Sequence, residues 1–83
     1  MKIRLKTVCQ ERLGALPDGE YEVPEGATAA EALRACQRRS ALEPLPPEQE
    51  AALQFMVNAR HARPDAVLKD GDRLLVLRPL TGG

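Results

Sequence analysis

A chain of 83 residues in which 12 Lys and Arg balance 12 Asp and Glu has no net field to draw it toward nucleic acid or an anionic membrane. With one Tyr, one Phe and no Trp, it offers no broad aromatic platform for bases or sugars, and its core must be built from closely packed Leu, Val, Ile and Ala. A single domain of this size buries only about two-thirds of its unfolded surface, so its margin of stability is thin.

Along the chain, Ile3, Leu5 and Thr7 alternate with Arg4, Lys6 and Val8, the period of two expected of a strand with one buried face. This opening is the opposite of a signal-peptide apolar core, and the longest strongly apolar run, Leu74 to Leu77, is too short to span a bilayer. A soluble cytoplasmic protein is the expectation. Gly14 and Pro17-Asp18-Gly19 mark a loop and turn, after which Glu20-Tyr21-Glu22-Val23 alternates again, predicting an N-terminal hairpin.

Pro24-Glu25-Gly26 ends that strand, and Thr28-Ala29-Ala30-Glu31 reads as a capping box opening a helix from about Ala29 to Arg39. Ala29, Leu33 and Cys36 fall on one stripe facing a sheet, while Glu31, Arg34, Gln37 and Arg38 are expected to point largely to solvent. Pro44, Pro46 and Pro47 make Ser40 to Pro47 a connecting loop, and Glu48 to Leu53 predicts a short helical turn. Phe55-Met56-Val57 reads as a strand, Asn58-Ala59 as a turn and Arg60-His61-Ala62 as the returning strand, before Pro64 closes the segment. Ala59 at the second turn position disfavours a positive φ there.

Asp70-Gly71-Asp72 signals a tight turn into the bulky strand Arg73 to Arg78. If Leu74 and Val76 meet the helix, Leu75 and Leu77 lie on an outer face that no second layer covers. They are either singly exposed residues or a partner-binding patch beside the chain end. The order strand, strand, helix, strand, strand predicts an α+β fold with one main helix packed across a curved mixed sheet.

No catalytic constellation is present. Cys9 and Cys36 have no Cys or His at metal-ligand spacing and are expected to be reduced, mostly buried thiols. His61 has no nucleophile near it in sequence, and no Gly-rich phosphate loop, HExxH or CxxC appears. An enzyme acting on its own is not expected, nor is a bound metal. What stands out is Arg78-Pro79-Leu80-Thr81-Gly82-Gly83: Pro79 interrupts ladder bonding and the two glycines lack Cβ, so residues 79–83 are expected to form an extended, flexible tail behind a domain of residues 1–78. Such a tail can thread a narrow channel.

The leucine, Asp70-Gly71-Asp72, the apolar strand and the Gly82-Gly83 ending of residues 65–83 resemble the close of the MoaD/ThiS family of ubiquitin-like sulfur carriers. Val57-Asn58-Ala59-Arg60 is similar to that family's Val-Asn-Gly turn, and Val23-Pro24-Glu25-Gly26-Ala27-Thr28 to its strand-to-helix junction. These matches cover about half of the chain, in family order. Length and the Leu80-Thr81-Gly82-Gly83 ending look more like the molybdopterin-synthase small subunit than the shorter thiamin-pathway carrier, while Ala59 and the Pro-rich loop depart from both. The resemblance implies a β-grasp fold and a Gly83 carboxylate adenylated by an E1-like adenylyltransferase with ATP, then converted to a thiocarboxylate, with Gly82 supplying clearance. It implies no cofactor bound by this chain, with ATP used by the partner. Leu75, Leu77, Arg78, Pro79, Leu80 and Thr81 would then contact partners, among them a sulfur-accepting synthase such as the molybdopterin synthase large subunit. Two alternatives remain open: a ubiquitin-like modifier conjugated to lysines, and a β-grasp interaction module with an inert tail.

Overall fold

In the computed structural model, which describes residues 1–8 and 16–78, the opening alternation becomes β1 (Lys2–Thr7). Ile3 and Leu5 turn inward and are buried, while Lys2, Arg4 and Lys6 face solvent. β2 (Gly19–Glu22) returns antiparallel, with Ile3 opposite Tyr21 and Leu5 opposite Gly19. The Met1 ammonium donates to the Val23 carbonyl at 2.8 Å and pairs with Glu22 at 2.8 Å, which fastens the start of β1 to the end of β2. The loop through Gly14, the thiol of Cys9 and the tail from Pro79 to Gly83 lie outside the described residues.

The helix α1 spans Ala29–Arg39, as the sequence predicts, and its capping box is complete. The Glu31 N–H donates to Thr28 Oγ1 at 3.2 Å, and the Thr28 N–H donates to Glu31 Oε1 at 2.9 Å. The next two amides that a helix start leaves without partners donate outside the helix, Ala29 to the Ala66 carbonyl and Ala30 to that of Pro64. The long connection before the last strand therefore locks the helix in place.

At the other end Leu42 donates to the Gln37 carbonyl and Ala41 to that of Arg38, with Ala41 at φ 58°. This is a Schellman closure with alanine where glycine is the usual residue. The same turn corrects one expectation: Gln37 is not a solvent residue but 1 % exposed. It continues the stripe of Ala30 and Leu33 at i+7 and i+4, so the buried face of α1 is wider than the Ala29, Leu33, Cys36 line. The chain folds back over the last turn, where Leu42 and Leu45 pack against the core. Gln37 Oε1 accepts no hydrogen bond from the described residues. Arg34 is likewise half-buried rather than free, donating from Nε and a terminal nitrogen to both oxygens of Glu50 at 3.2 and 2.8 Å. That fork ties α1 to the short helix α2 (Pro47–Ala51), which opens with Pro47 in its first turn where a missing N–H costs nothing.

β3 (Gln54–Val57), β4 (Arg60–Ala62) and β5 (Arg73–Leu77) complete a five-stranded sheet in the order β2-β1-β5-β3-β4. β5 inserts at the centre, parallel to β1 and antiparallel to β3. Its Leu74 and Val76 are buried, as expected, and meet Leu5, Phe55, Leu33 and Cys36 in the core between sheet and helix. Cys36 is fully buried, and desolvation pushes its thiol up to about 12. At pH 8 the native protein should leave Cys36 unalkylated by iodoacetamide, with labelling only after unfolding, because the thiolate is the reacting form. An ionised thiol favours the unfolded chain, so stability should also fall as pH rises from 9 toward 12.

One end of the sheet is closed by a hydrogen-bonded lattice. Asn58 accepts from the Arg73 N–H at 3.0 Å through Oδ1 and donates from Nδ2 to Asp72 at 2.9 Å. Asp72 also accepts from the Lys69 N–H at 2.8 Å, and Asp70 from the Lys2 N–H at 2.7 Å. Gly71, at φ 86°, donates back to the Lys2 carbonyl. The Asn58 turn and the Asp-Gly-Asp turn, far apart in sequence, are thus one joint holding β1, β3 and β5 in register.

The Asn58-Ala59 turn has positive φ at both positions, 52° and 68°, the type I′ geometry of two-residue hairpins. The sequence argued against this at Ala59. The tertiary frame overrides the preference, since Asn58 is fixed by the joint and Met56 must face His61 across the hairpin. Left-handed alanine costs about 1–2 kcal/mol and glycine in the unfolded chain costs back about 0.5–1. Ala59→Gly is therefore expected to raise stability by about 0.5–1 kcal/mol in urea denaturation, with an unchanged m-value.

Candidate functional site

Among the described residues no cluster of three His, Cys, Asp or Glu is arranged to hold a metal ion, and no helix is long and apolar enough to cross a membrane. His61 sits exposed on β4. The only cysteine thiol among the described residues is sealed in the core. β5 ends at the point where the chain leaves the sheet.

That point is Arg78, exposed and directly after Leu77. Since Leu74 and Val76 face the core, the alternation of β5 turns Arg73, Leu75 and Leu77 to the outer face, where the two leucines are half-buried. Strand register supplies their neighbours. Leu75 lies between Lys6 of β1 and Met56 of β3, and Met56 lies beside His61 of β4. Leu77 pairs with Gln54, and Val8, half exposed, follows β1 with its N–H on the Val76 carbonyl.

The expected pair Leu75 and Leu77 is thus brought together with Met56 and Val8 into one apolar strip that no other described residue is seen to cover and that ends at Arg78. Met56 and Val8 were missed as members. Placing Phe55 inward would have turned Met56 outward by the period of two, whereas Val8 joins only through the parallel pairing of β1 with β5, which no local pattern reveals. Pro79, Leu80, Thr81, Gly82 and Gly83 lie outside the described residues.

A mixed sheet with two outer hairpin strands, a parallel central pair and one long helix across its inner face defines a ubiquitin-like β-grasp protein. The sequence matches the ThiS family over residues 3–83, and the chain belongs to that family. Among solved structures it is similar to SAMP1 from Haloferax volcanii, at 19 % identity over 100 % of both chains with a TM-score of 0.72. It is also similar to a candidate molybdopterin converting factor subunit 1 from Pyrococcus furiosus, at 25 % identity over 96 % of this chain and 99 % of that one, TM-score 0.68. A ubiquitin-like protein from the archaeon Caldiarchaeum subterraneum aligns at 20 % identity over 99 % of this chain and 100 % of that one, TM-score 0.52. No curated protein matches the chain in sequence.

Proposed function

We propose that this protein is a cytoplasmic sulfur carrier, itself without enzymatic activity, that works through the carboxylate of Gly83. The observation that carries the proposal is membership of the ThiS family across residues 3–83, a span that includes Gly82 and Gly83. The apolar strip of Leu75, Leu77 and Met56 beside the end of β5 supports it, because a carrier must be held by its body while its end is modified.

An E1-like adenylyltransferase binds the domain and brings the Gly83 carboxylate to ATP. A carboxylate oxygen attacks the α-phosphorus and pyrophosphate leaves, giving an acyl-adenylate. A donor supplying sulfur at the sulfide level then attacks the acyl carbon and AMP leaves, so the C-terminal oxygen is exchanged for sulfur. Gly82, without Cβ, gives the attacked carbonyl its clearance. The thiocarboxylate is a nucleophile that the carrier delivers to a sulfur-accepting synthase. Molybdopterin formation is the favoured destination, from the likeness to the Pyrococcus protein. Leu75, Leu77 and Arg78 are the body's contacts with these partners, and Pro79, Leu80 and Thr81 are those of the tail.

Incubation with the cognate activating enzyme, ATP and sulfide should raise the intact mass by about 16 Da, the exchange of oxygen for sulfur at an activated carboxyl. An unchanged mass with an active cognate enzyme would falsify the carrier reading. The same activated end could instead acylate a lysine, a reading favoured by the likeness to SAMP1 in fold alone. High-mass conjugates on a denaturing gel, without free thiocarboxylate, would establish that modifier role.

A further inference from the structure

β1 outruns its partner strand at the end where β5 also finishes. Its backbone groups face β2 at odd positions and β5 at even ones. Met1 accepts from the Val23 N–H, Ile3 lies opposite Tyr21 and Leu5 opposite Gly19, whereas Arg4 donates to the Asp72 carbonyl and Val8 to that of Val76. β2 begins at Gly19, so the Thr7 N–H points to a place where no strand carbonyl stands. The Asp18 carboxylate fills that place, Oδ1 accepting from Thr7 at 3.1 Å. A side chain thus substitutes for the missing strand residue and satisfies a backbone donor that the ladder leaves over.

Asp18 is exposed, but the turn that carries it is pinned. Leu16, two residues before it, is buried in the core. The Tyr21 hydroxyl donates to the Pro17 carbonyl at 2.6 Å. A phenol has one proton to give, so the Ser40 hydroxyl, 3.3 Å from the same oxygen, donates to it. Ser40 is the C-cap of α1, and the helix end therefore holds the turn in place.

On the far side of this cap stands Val8, which donates to the Val76 carbonyl at 2.9 Å. Among the described residues no backbone bond nearer the tail joins the chain of β1 to that of β5. Toward β3, Leu77 pairs with Gln54. The chain leaves the sheet from a root with two ties, and the one toward β1 depends on Thr7, which Asp18 holds.

From this geometry we infer that Asp18 is a positioning residue for the reaction at Gly83: by capping Thr7 it keeps Val8 on Val76 and fixes the direction in which the chain leaves the sheet. The inference rests on the carrier reading and adds to it a residue that touches no reacting atom. The strip of Leu75, Leu77 and Met56 is registered separately, by the pairing of β3 with β5. Losing the cap therefore leaves the grip on the body intact and lowers the share of bound carriers whose carboxylate stands in line with the α-phosphorus. The effect falls on kcat rather than on KM.

The test measures sulfur loading by intact mass over a range of carrier concentrations, with the cognate activating enzyme, MgATP and sulfide, beside amide hydrogen exchange of the free carrier. Asp18→Ala should lower kcat about ten-fold with KM within about two-fold of the wild type. Its Thr7 and Val8 amides should exchange about ten-fold faster or more while core amides keep their protection. Asp18→Asn retains an acceptor oxygen and should restore both kcat and slow exchange. Asp65→Ala, which removes the exposed pair with Arg63, should load as the wild type does. Should Asp18→Ala fail to fold, Tyr21→Phe carries the test, since it frees Pro17 but keeps the ring, and its kcat should fall about three-fold.

A loaded Asp18→Ala with the wild-type kcat, or with only KM changed, overturns the positioning role and leaves the carrier reading standing. So does an Asp18→Asn as impaired as the alanine variant, or, where Tyr21→Phe decides, a wild-type kcat for it. A wild type that gains no sulfur overturns the carrier reading and this inference with it.

Discussion

Deleting Gly83 is expected to abolish sulfur loading completely, with no gain of about 16 Da at any carrier concentration, while leaving the folded domain unchanged in Tm and in its circular dichroism spectrum. The core is built from residues between Ile3 and Val76, the helix is capped by Thr28 and Glu31, and the sheet is registered by the Asn58 and Asp72 joint, so stability has no need of the last residue. The new carboxylate would belong to Gly82 and stand one residue, about 3.3–3.6 Å of extended chain, short of its former reach. In-line displacement needs reacting atoms about 3–3.5 Å apart, so a deficit of that size removes the reaction rather than slowing it. Gly82→Val tests clearance separately from reach: length is kept, a branched Cβ is placed next to the attacked carbonyl, and loading should fall by at least about a hundred-fold. Full loading of the deletion variant would move the reacting group away from Gly83, and full loading of Gly82→Val would remove the clearance role of Gly82.

A great deal of the body could be read from local pattern, and the reasons it could not all be read are physical. The alternation of Ile3 and Leu5, the Thr28 capping box and the Asp-Gly-Asp turn are decided within a few residues, and each appears where expected, down to the helix bounds Ala29–Arg39. Gln37 was misplaced because its burial depends on residues 40–46 folding back over the helix end, information that a helical wheel lacks. Ala59 was misjudged because its backbone is set by Asn58, whose partners Asp72 and Arg73 lie 14 and 15 residues away. The outer apolar strip was half legible. Leu75 and Leu77 followed from the period of two, but their neighbours Lys6 and Met56 are set only by the insertion of β5 between β1 and β3. For the tail, sequence and family membership carry the whole case.

Phe55→Ala should be the most damaging single substitution in the body. Phe55 is the largest fully buried side chain, at 1 % exposure, and lies on β3 between Val76 of β5 and Ala62 of β4. It is the one phenylalanine in the chain, set among Leu, Val, Ile and Ala. Small aliphatic neighbours on a hydrogen-bonded sheet have little freedom to collapse into the space a lost ring leaves, so the cavity persists and the cost falls in the range of about 3–5 kcal/mol. A domain of this length has a total stability of about 4–12 kcal/mol, and one this poor in aromatic mass belongs at the lower end. Urea denaturation should show a midpoint near zero or a largely unfolded population at 25 °C, and Tm should drop on the order of 20 °C. Phe55→Leu, which refills most of the volume, should cost less than half as much. A loss below about 1 kcal/mol for the alanine variant would mean that β3 and β5 repack freely. The register that brings Met56 beside Leu75, and with it the outer apolar strip, would then not be held by the core.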